Sequence, residues 1–140
     1  MELLFKEEFY KIKQACIEVR KNLGNGFLEK VYERALVYEL TKLGFFVQVQ
    51  FALNVSYKDI TAGEFIADIV VNKQIVIELK TVKKLNEIHK AQVLNYLKAT
   101  NHRLGILVNF PPDRAGVEVE RVPNFIESRI KINEQRTKTN

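Results

Sequence analysis

Residues 65–80, FIADIVVNKQIVIELK, constrain this chain more than any other stretch. They read as two short apolar strands around a turn at Asn72-Lys73. Asp68 interrupts the first strand, and Glu78 and Lys80 interrupt the second. A carboxylate among branched aliphatics is costly to bury unless it is paired, hydrogen-bonded or bound to a metal. Two acids and a lysine so placed point to chemistry. The plainer alternative is a hairpin whose wet end is closed by a salt bridge.

Strand register decides whether those charges can act together. Directly opposed residues of an antiparallel pair project from the same face. A two-residue turn would pair Val71 with Gln74, set Asp68 against Ile77, and send the two carboxylates to opposite faces. A three-residue loop, Asn72-Lys73-Gln74, would pair Val71 with Ile75 and place Asp68 opposite Glu78, with Lys80 on that same face. Turn preference allows either. A shared site therefore requires the longer loop, or a bulge or bend near Asp68 that does the same job.

The spacing Asp, nine residues, Glu-x-Lys resembles the signature of the PD-(D/E)XK nuclease superfamily. Such short matches also arise by chance, so two further motifs matter. Gly26-Phe27-Leu28-Glu29-Lys30-Val31-Tyr32 matches the GxxExxY pattern. Gln92 and Tyr96 resemble the QxxxY motif of RecB-like branches of the superfamily. On these motifs, over roughly residues 4–122, the chain is identified as a member of the GxxExxY family. The resemblance implies an α/β, restriction-endonuclease-like three-layer domain with a mixed central β-sheet flanked by helices. It implies that Asp68, Glu78 and the backbone carbonyl of Leu79 bind Mg²⁺ or Mn²⁺. Lys80 would orient the attacking water or stabilise developing charge. Glu29 would reach the same site, binding water or a second metal, and Gln92 and Tyr96 would complete its wall. Taken alone, Glu29 is only a first-turn glutamate favoured by the helix dipole.

The periodicities agree with that architecture. Phe5, Phe9, Ile12, Cys16, Val19 and Leu23 form one stripe of a helix over residues 3–23. A second helix is expected over residues 27–43, with Leu28, Val31, Tyr32, Ala35, Leu36, Leu40 and Leu43 as its apolar side. Residues 45–51 alternate as a strand with one wet face, and residues 53–57 continue the alternation. Residues 58–64 read as a polar connection. A third helix spans about residues 86–100 with Asn86 as N-cap. A buried strand over 105–110 and an edge strand over 117–122 follow. The expected order is two helices, four strands, a helix and two strands, in one domain over residues 1–140. The end, from about residue 132, is polar, and disorder is expected there.

Charge supplies the partner. The chain carries a net +5, and the excess lies just after Lys80: Lys83, Lys84, Lys90, Lys98 and Arg103 against Glu87 alone. A basic segment beside a carboxylate site suits a phosphate backbone, and Lys83, Lys84, His89 and Lys90 are the candidate contacts. A solvated helix face is the commoner meaning of such lysines. Cys16 is the only cysteine, which excludes an intrachain disulfide and a cysteine-based zinc site. No apolar run approaches a membrane span, and the acidic start MELLFKEEF is unlike a signal peptide. A cytoplasmic protein is expected. The functional expectation is an Mg²⁺-dependent nuclease acting on nucleic acid, with DNA the first candidate and a homodimer left open. The alternative is a non-catalytic nucleic-acid-binding or protein-interaction module on a nuclease fold.

Overall fold

The computed structural model describes residues 3–125. Two helices come first, α1 (Lys6–Leu23) and α2 (Glu29–Lys42). Glu7 and Glu8 in the first turn of α1, and Arg20 and Lys21 in its last, match the helix dipole. Gly24, at φ +72, ends that helix in a conformation costly for other residues. Three strands follow, β1 (Val47–Tyr57), β2 (Ile60–Val71) and β3 (Ile75–Lys80). Then come α3 (Glu87–Thr100), β4 (Leu104–Asn109) and β5 (Glu118–Pro123).

The sheet runs in chain order, β1-β2-β3-β4-β5. Only β3 and β4 are parallel, and the other neighbours are antiparallel. A parallel pair needs a crossover, and α3 provides it. Ile69, Val71, Ile75, Ile77, Ile106 and Val108 pack under α1 and α2. Val70, Val76 and Leu107 pack on the other face against Val93 and Leu97 of α3. The result is the expected restriction-endonuclease-like three-layer α/β domain. Strands β3 and β4, inside the sheet, are apolar on both faces because both faces are covered. Among the described residues no helix is long and apolar enough to cross a membrane.

Three expectations change. The pattern over 45–57 is one strand, so three strands, not four, precede α3. The supposed polar connection is instead the first part of β2: Ser56 pairs with Thr61, and Tyr57 with Ile60, around Lys58 at φ +51. Residues 60–64 are all exposed, so no apolar period marks that half of the pairing. Helix α2 starts at Glu29, with Leu28 in an extended cap conformation. Leu28 is 78% exposed, and the buried face of α2 is Tyr32, Glu33, Leu36 and Leu40. The polar end beyond residue 132 lies outside the described residues.

Helix α3 lies close on β4 at Gly105. A Cβ there would fall 2.8 Å from Val93 Cγ1 and 3.1 Å from Leu97 Cδ1. Val93 is β-branched and stiff on a helix, so it cannot swing away. Gly105→Ala is expected to lower stability by about 1–3 kcal/mol, the usual range for overpacking, read by chemical denaturation. Wild-type stability in that variant would show that α3 can shift outward freely.

Candidate active site

Strands β2 and β3 part at Asp68. Their ladder pairs Val71 with Ile75, Val70 with Val76 and Ile69 with Ile77, and ends there. This is the three-residue loop, and continuing the count sets Asp68 opposite Glu78. Asn72 and Lys73 take left-handed φ of 53° and 59°, and the Gln74 N–H closes on the Val71 carbonyl at 3.0 Å. Asn tolerates that geometry better than most residues. Its side chain accepts the Phe46 N–H at 2.9 Å, and its own N–H donates to the Phe46 carbonyl at 2.8 Å. The turn is thus docked on the chain entering β1.

Past the end of the ladder, side chains replace backbone partners. The Asp68 N–H donates to Glu78 Oε1 at 3.2 Å. The Leu79 N–H donates to Asp68 Oδ2 at 2.8 Å. Strand β3 meanwhile stays paired to β4 as far as Lys80–Asn109. The N–H and C=O of a strand residue point to the same side. The Leu79 carbonyl therefore faces the gap that β2 leaves, beside the two carboxyls.

The other neighbour of Asp68 is irregular too. Val49 pairs with Ile69 and Phe51 with Ala67, but Gln50 and Asp68 between them do not pair. Gln50 sits at φ +49. Ile69 and Val71 pack toward α1 and α2, whereas Ala67 and Phe65 pack toward α3. Asp68 stands where the ribbon changes faces, between the two helical layers.

Burial pushes the Glu78 carboxyl up to about 8, and the Asp68 charge adds to the effect. Helix α2 brings Glu29 into the same field. Partial burial, and then the Asp68 charge, raise its carboxyl above the ordinary range, while Lys80 works the other way. From the opposite layer α3 contributes Gln92, Tyr96 and His89, which with Phe65, Glu78, Lys80 and Val93 line one small cleft. Tyr96 stacks on Phe65, centroids 3.9 Å apart, so it forms a rigid wall. The structure thus gathers Glu29, Asp68, Glu78, Lys80, Gln92 and Tyr96 around the end of β3.

The basic residues divide. Lys83 and Lys84 are exposed on the connection after β3. The buried Asn109 pins that connection, accepting the Val82 N–H and donating to the Val82 carbonyl, each at 2.9 Å. Lys90 is engaged: its ammonium lies 2.9 Å from Glu120 and 3.7 Å from Glu87. His89 completes the N-terminal cap of α3, exchanging hydrogen bonds with Asn86.

Two neighbours of the site escaped the sequence reading. Glu33 is 3% exposed and pairs with Lys30 at 3.1 Å. Gln50 Nε2 donates to Glu33 Oε1 at 2.8 Å and to Asp68 Oδ1 at 3.3 Å. The available signal for Glu33 was its spacing of four from Glu29, which puts both on one helix face. Tyr32 has a structural part. It stacks on Phe110 with centroids 4.4 Å apart, and its hydroxyl donates to the Gly24 carbonyl at 2.7 Å. It also accepts from Arg20 at 3.3 Å. That anchor fixes the first turn of α2, and with it Glu29.

Residues 6–122 match the family model described as the PD-(D/E)XK nuclease superfamily. No curated protein matches the sequence. Among solved structures, the chain is similar to SSO0001, at 20% identity and a TM-score of 0.52, over 90% of this chain and 63% of that one. It therefore spans less than two thirds of SSO0001. It is also similar to an alkaline exonuclease, LHK-Exo, from Laribacter hongkongensis, at 13% identity and a TM-score of 0.54, over 96% of this chain and 77% of that one. The complex of LHK-Exo with dAMP matches at 12% identity and a TM-score of 0.50, over 92% and 88% of the two chains. At these identities the likeness shows the fold.

Proposed function

The chain belongs to the PD-(D/E)XK nuclease superfamily, and from that premise we propose that it hydrolyses phosphodiester bonds of nucleic acid, DNA first, with Mg²⁺ or Mn²⁺. Within the superfamily we assign it to the GxxExxY group on Gly26, Glu29 and Tyr32. The observation that carries the reading is the register that sets Asp68 against Glu78, with their polar atoms in contact.

The donor set fits a hard divalent cation. Burial and mutual repulsion hold a proton on Glu78 near neutrality, and a cation relieves the same repulsion. Among the described residues no three His, Cys, Asp or Glu side chains form a metal cluster. Asp68, Glu78 and the Leu79 carbonyl would then be the protein's ligands, the rest being left to water and substrate, as Mg²⁺ prefers. Such an ion would supply Lewis acidity toward the phosphate and lower the pKa of water.

The residues of the chain supply the rest. Lys80, next to Glu78 on the cleft wall, orients the attacking water and offsets negative charge that builds on the phosphate. Glu29 is poised to accept a proton, since its carboxyl is raised. Gln92 offers an amide to the substrate backbone, and the Tyr96–Phe65 stack closes the side toward α3. Lys83 and Lys84 extend the positive surface for phosphates.

The test is cleavage of single-stranded, duplex, flap and junction DNA, and of RNA, with Mg²⁺, Mn²⁺ or EDTA. Cutting with metal and none in EDTA is expected. Binding without cutting on every substrate would leave a binding module. Nucleic-acid affinity should fall with salt, and charge reversal at Lys83 and Lys84 should reduce the slope by about one unit per lost phosphate contact. An unchanged slope would place the nucleic-acid surface elsewhere.

A further inference from the structure

We propose that Gln50 is a positioning residue that sets the Asp68 carboxylate for metal binding. The proposal rests on the nuclease reading above and adds a residue to it. Gln50 sits mid-strand yet takes φ +49, a conformation that disfavours any residue with a Cβ. Strain of this kind persists where the surroundings impose it. What the distortion gains is visible in the contacts. It falls opposite Asp68, at the one residue of β1 that lacks a β2 partner, between Val49–Ile69 and Phe51–Ala67.

The amide then bridges two acids. Nε2 donates to Glu33 Oε1 at 2.8 Å and to Asp68 Oδ1 at 3.3 Å. Both partners are acceptors, so the NH₂ group must face them, and its two hydrogens serve one acid each. The far oxygen of Asp68, Oδ2, is held by the Leu79 N–H at 2.8 Å. With both oxygens tethered, the plane of the Asp68 carboxylate is fixed. The Glu33 end is firm: that side chain is buried on α2 and paired with Lys30 at 3.1 Å. Glu29 lies one turn earlier on the same helix. Gln50 therefore ties the helix that carries Glu29 to the strand that carries Asp68. Supporting hydrogen bonds of this type orient metal-ligating carboxylates and govern affinity.

Gln50→Ala and Gln50→Gly separate this role from a structural one. Both lose the amide, but glycine alone is at ease at this φ. In EDTA, Gln50→Gly should melt above Gln50→Ala. Mn²⁺ affinity, read by calorimetric titration with Mn²⁺ alone, should fall about tenfold or more in both variants, and equally. Affinity that recovers in Gln50→Gly along with the melting temperature would show that Gln50 only supports the fold, and overturns the proposal. So would wild-type affinity in both variants. A wild-type protein that binds no Mn²⁺ defeats the metal reading itself, and this inference with it.

Discussion

Lys80→Ala is expected to lower metal-dependent cleavage by about 10²- to 10³-fold, the usual cost of removing a group that steadies charge in the transition state. The fold should hardly notice. Lys80 ends β3, its carbonyl accepts the Phe110 N–H at 2.9 Å, and its backbone pairs with Asn109 whatever the side chain. Asp68→Asn should abolish cleavage altogether, and for a different reason. One oxygen becomes an NH₂ group, a poor ligand that also faces donors from Gln50 and Leu79. Melting curves tell the two losses apart. A ligand that binds only the native state raises its melting temperature. Millimolar Mn²⁺ should therefore stabilise wild type and Lys80→Ala, but not Asp68→Asn. Near-wild-type cleavage by Lys80→Ala would remove the lysine from the reaction.

The metal-free protein should lose stability as the solution turns alkaline. Glu78 binds its proton more tightly folded, at about 8, than at the ordinary value of 4.5. A group raised in this way contributes fully below the lower value, and the contribution is lost as pH climbs through the upper one. Glu29, raised as well, acts in the same direction. His102 acts oppositely. Burial lowers it from 6.5, so its effect ends below neutrality. The clean window is therefore about pH 7 to 9, where Glu78 should account for a loss of about 1 kcal/mol, with a total on the order of 4 kcal/mol from pH 5. Denaturation in EDTA across that range checks it. Glu78→Gln, which keeps the shape without the titration, should flatten the curve. Mn²⁺ should reverse the trend, because ligands bind metal deprotonated. Equal slopes for wild type and Glu78→Gln would assign the pH dependence to other groups.

Much of this was legible in residue order. Asp68, Glu78 and Lys80 stood out because charge in an apolar strand has few explanations. The register followed from asking what chemistry they could share. Periodicity also gave α1 and α3, each of which buries a face, and an unbroken apolar run gave β4, which is buried throughout. It failed where nothing is buried. The first residues of β2, 60–64, are exposed and carry no apolar period, so their pairing with the alternating residues 53–57 of β1 was invisible. Other losses were long-range. Lys90 meets Glu120 thirty positions later, and no local pattern distinguishes an engaged lysine from a free one. Gln50 looked like one more wet-face residue, because a left-handed φ inside a strand comes from the partners pulling on it and leaves no mark in the residue order. Glu33 was hidden by its charge: burial of a glutamate is not expected until Lys30 and Gln50 are seen around it.

Surface hairpin loops are ordinarily where chains gain and lose residues freely. The loop Asn72-Lys73-Gln74 is denied that freedom. Its length is the ruler that sets Asp68 against Glu78, and removing one residue would turn every side chain of one strand over relative to the other. An apolar strand buried on both faces could survive such a turn by repacking, while Glu78 and Lys80 were carried to the face under α1 and α2. Insertion or deletion at this solvent-facing loop would thus be as damaging as a substitution among the acids. Among descendants of this chain, the number of residues at positions 72–74 is expected to stay fixed, with Asn72 held as well by its left-handed φ and its bond to the Phe46 N–H.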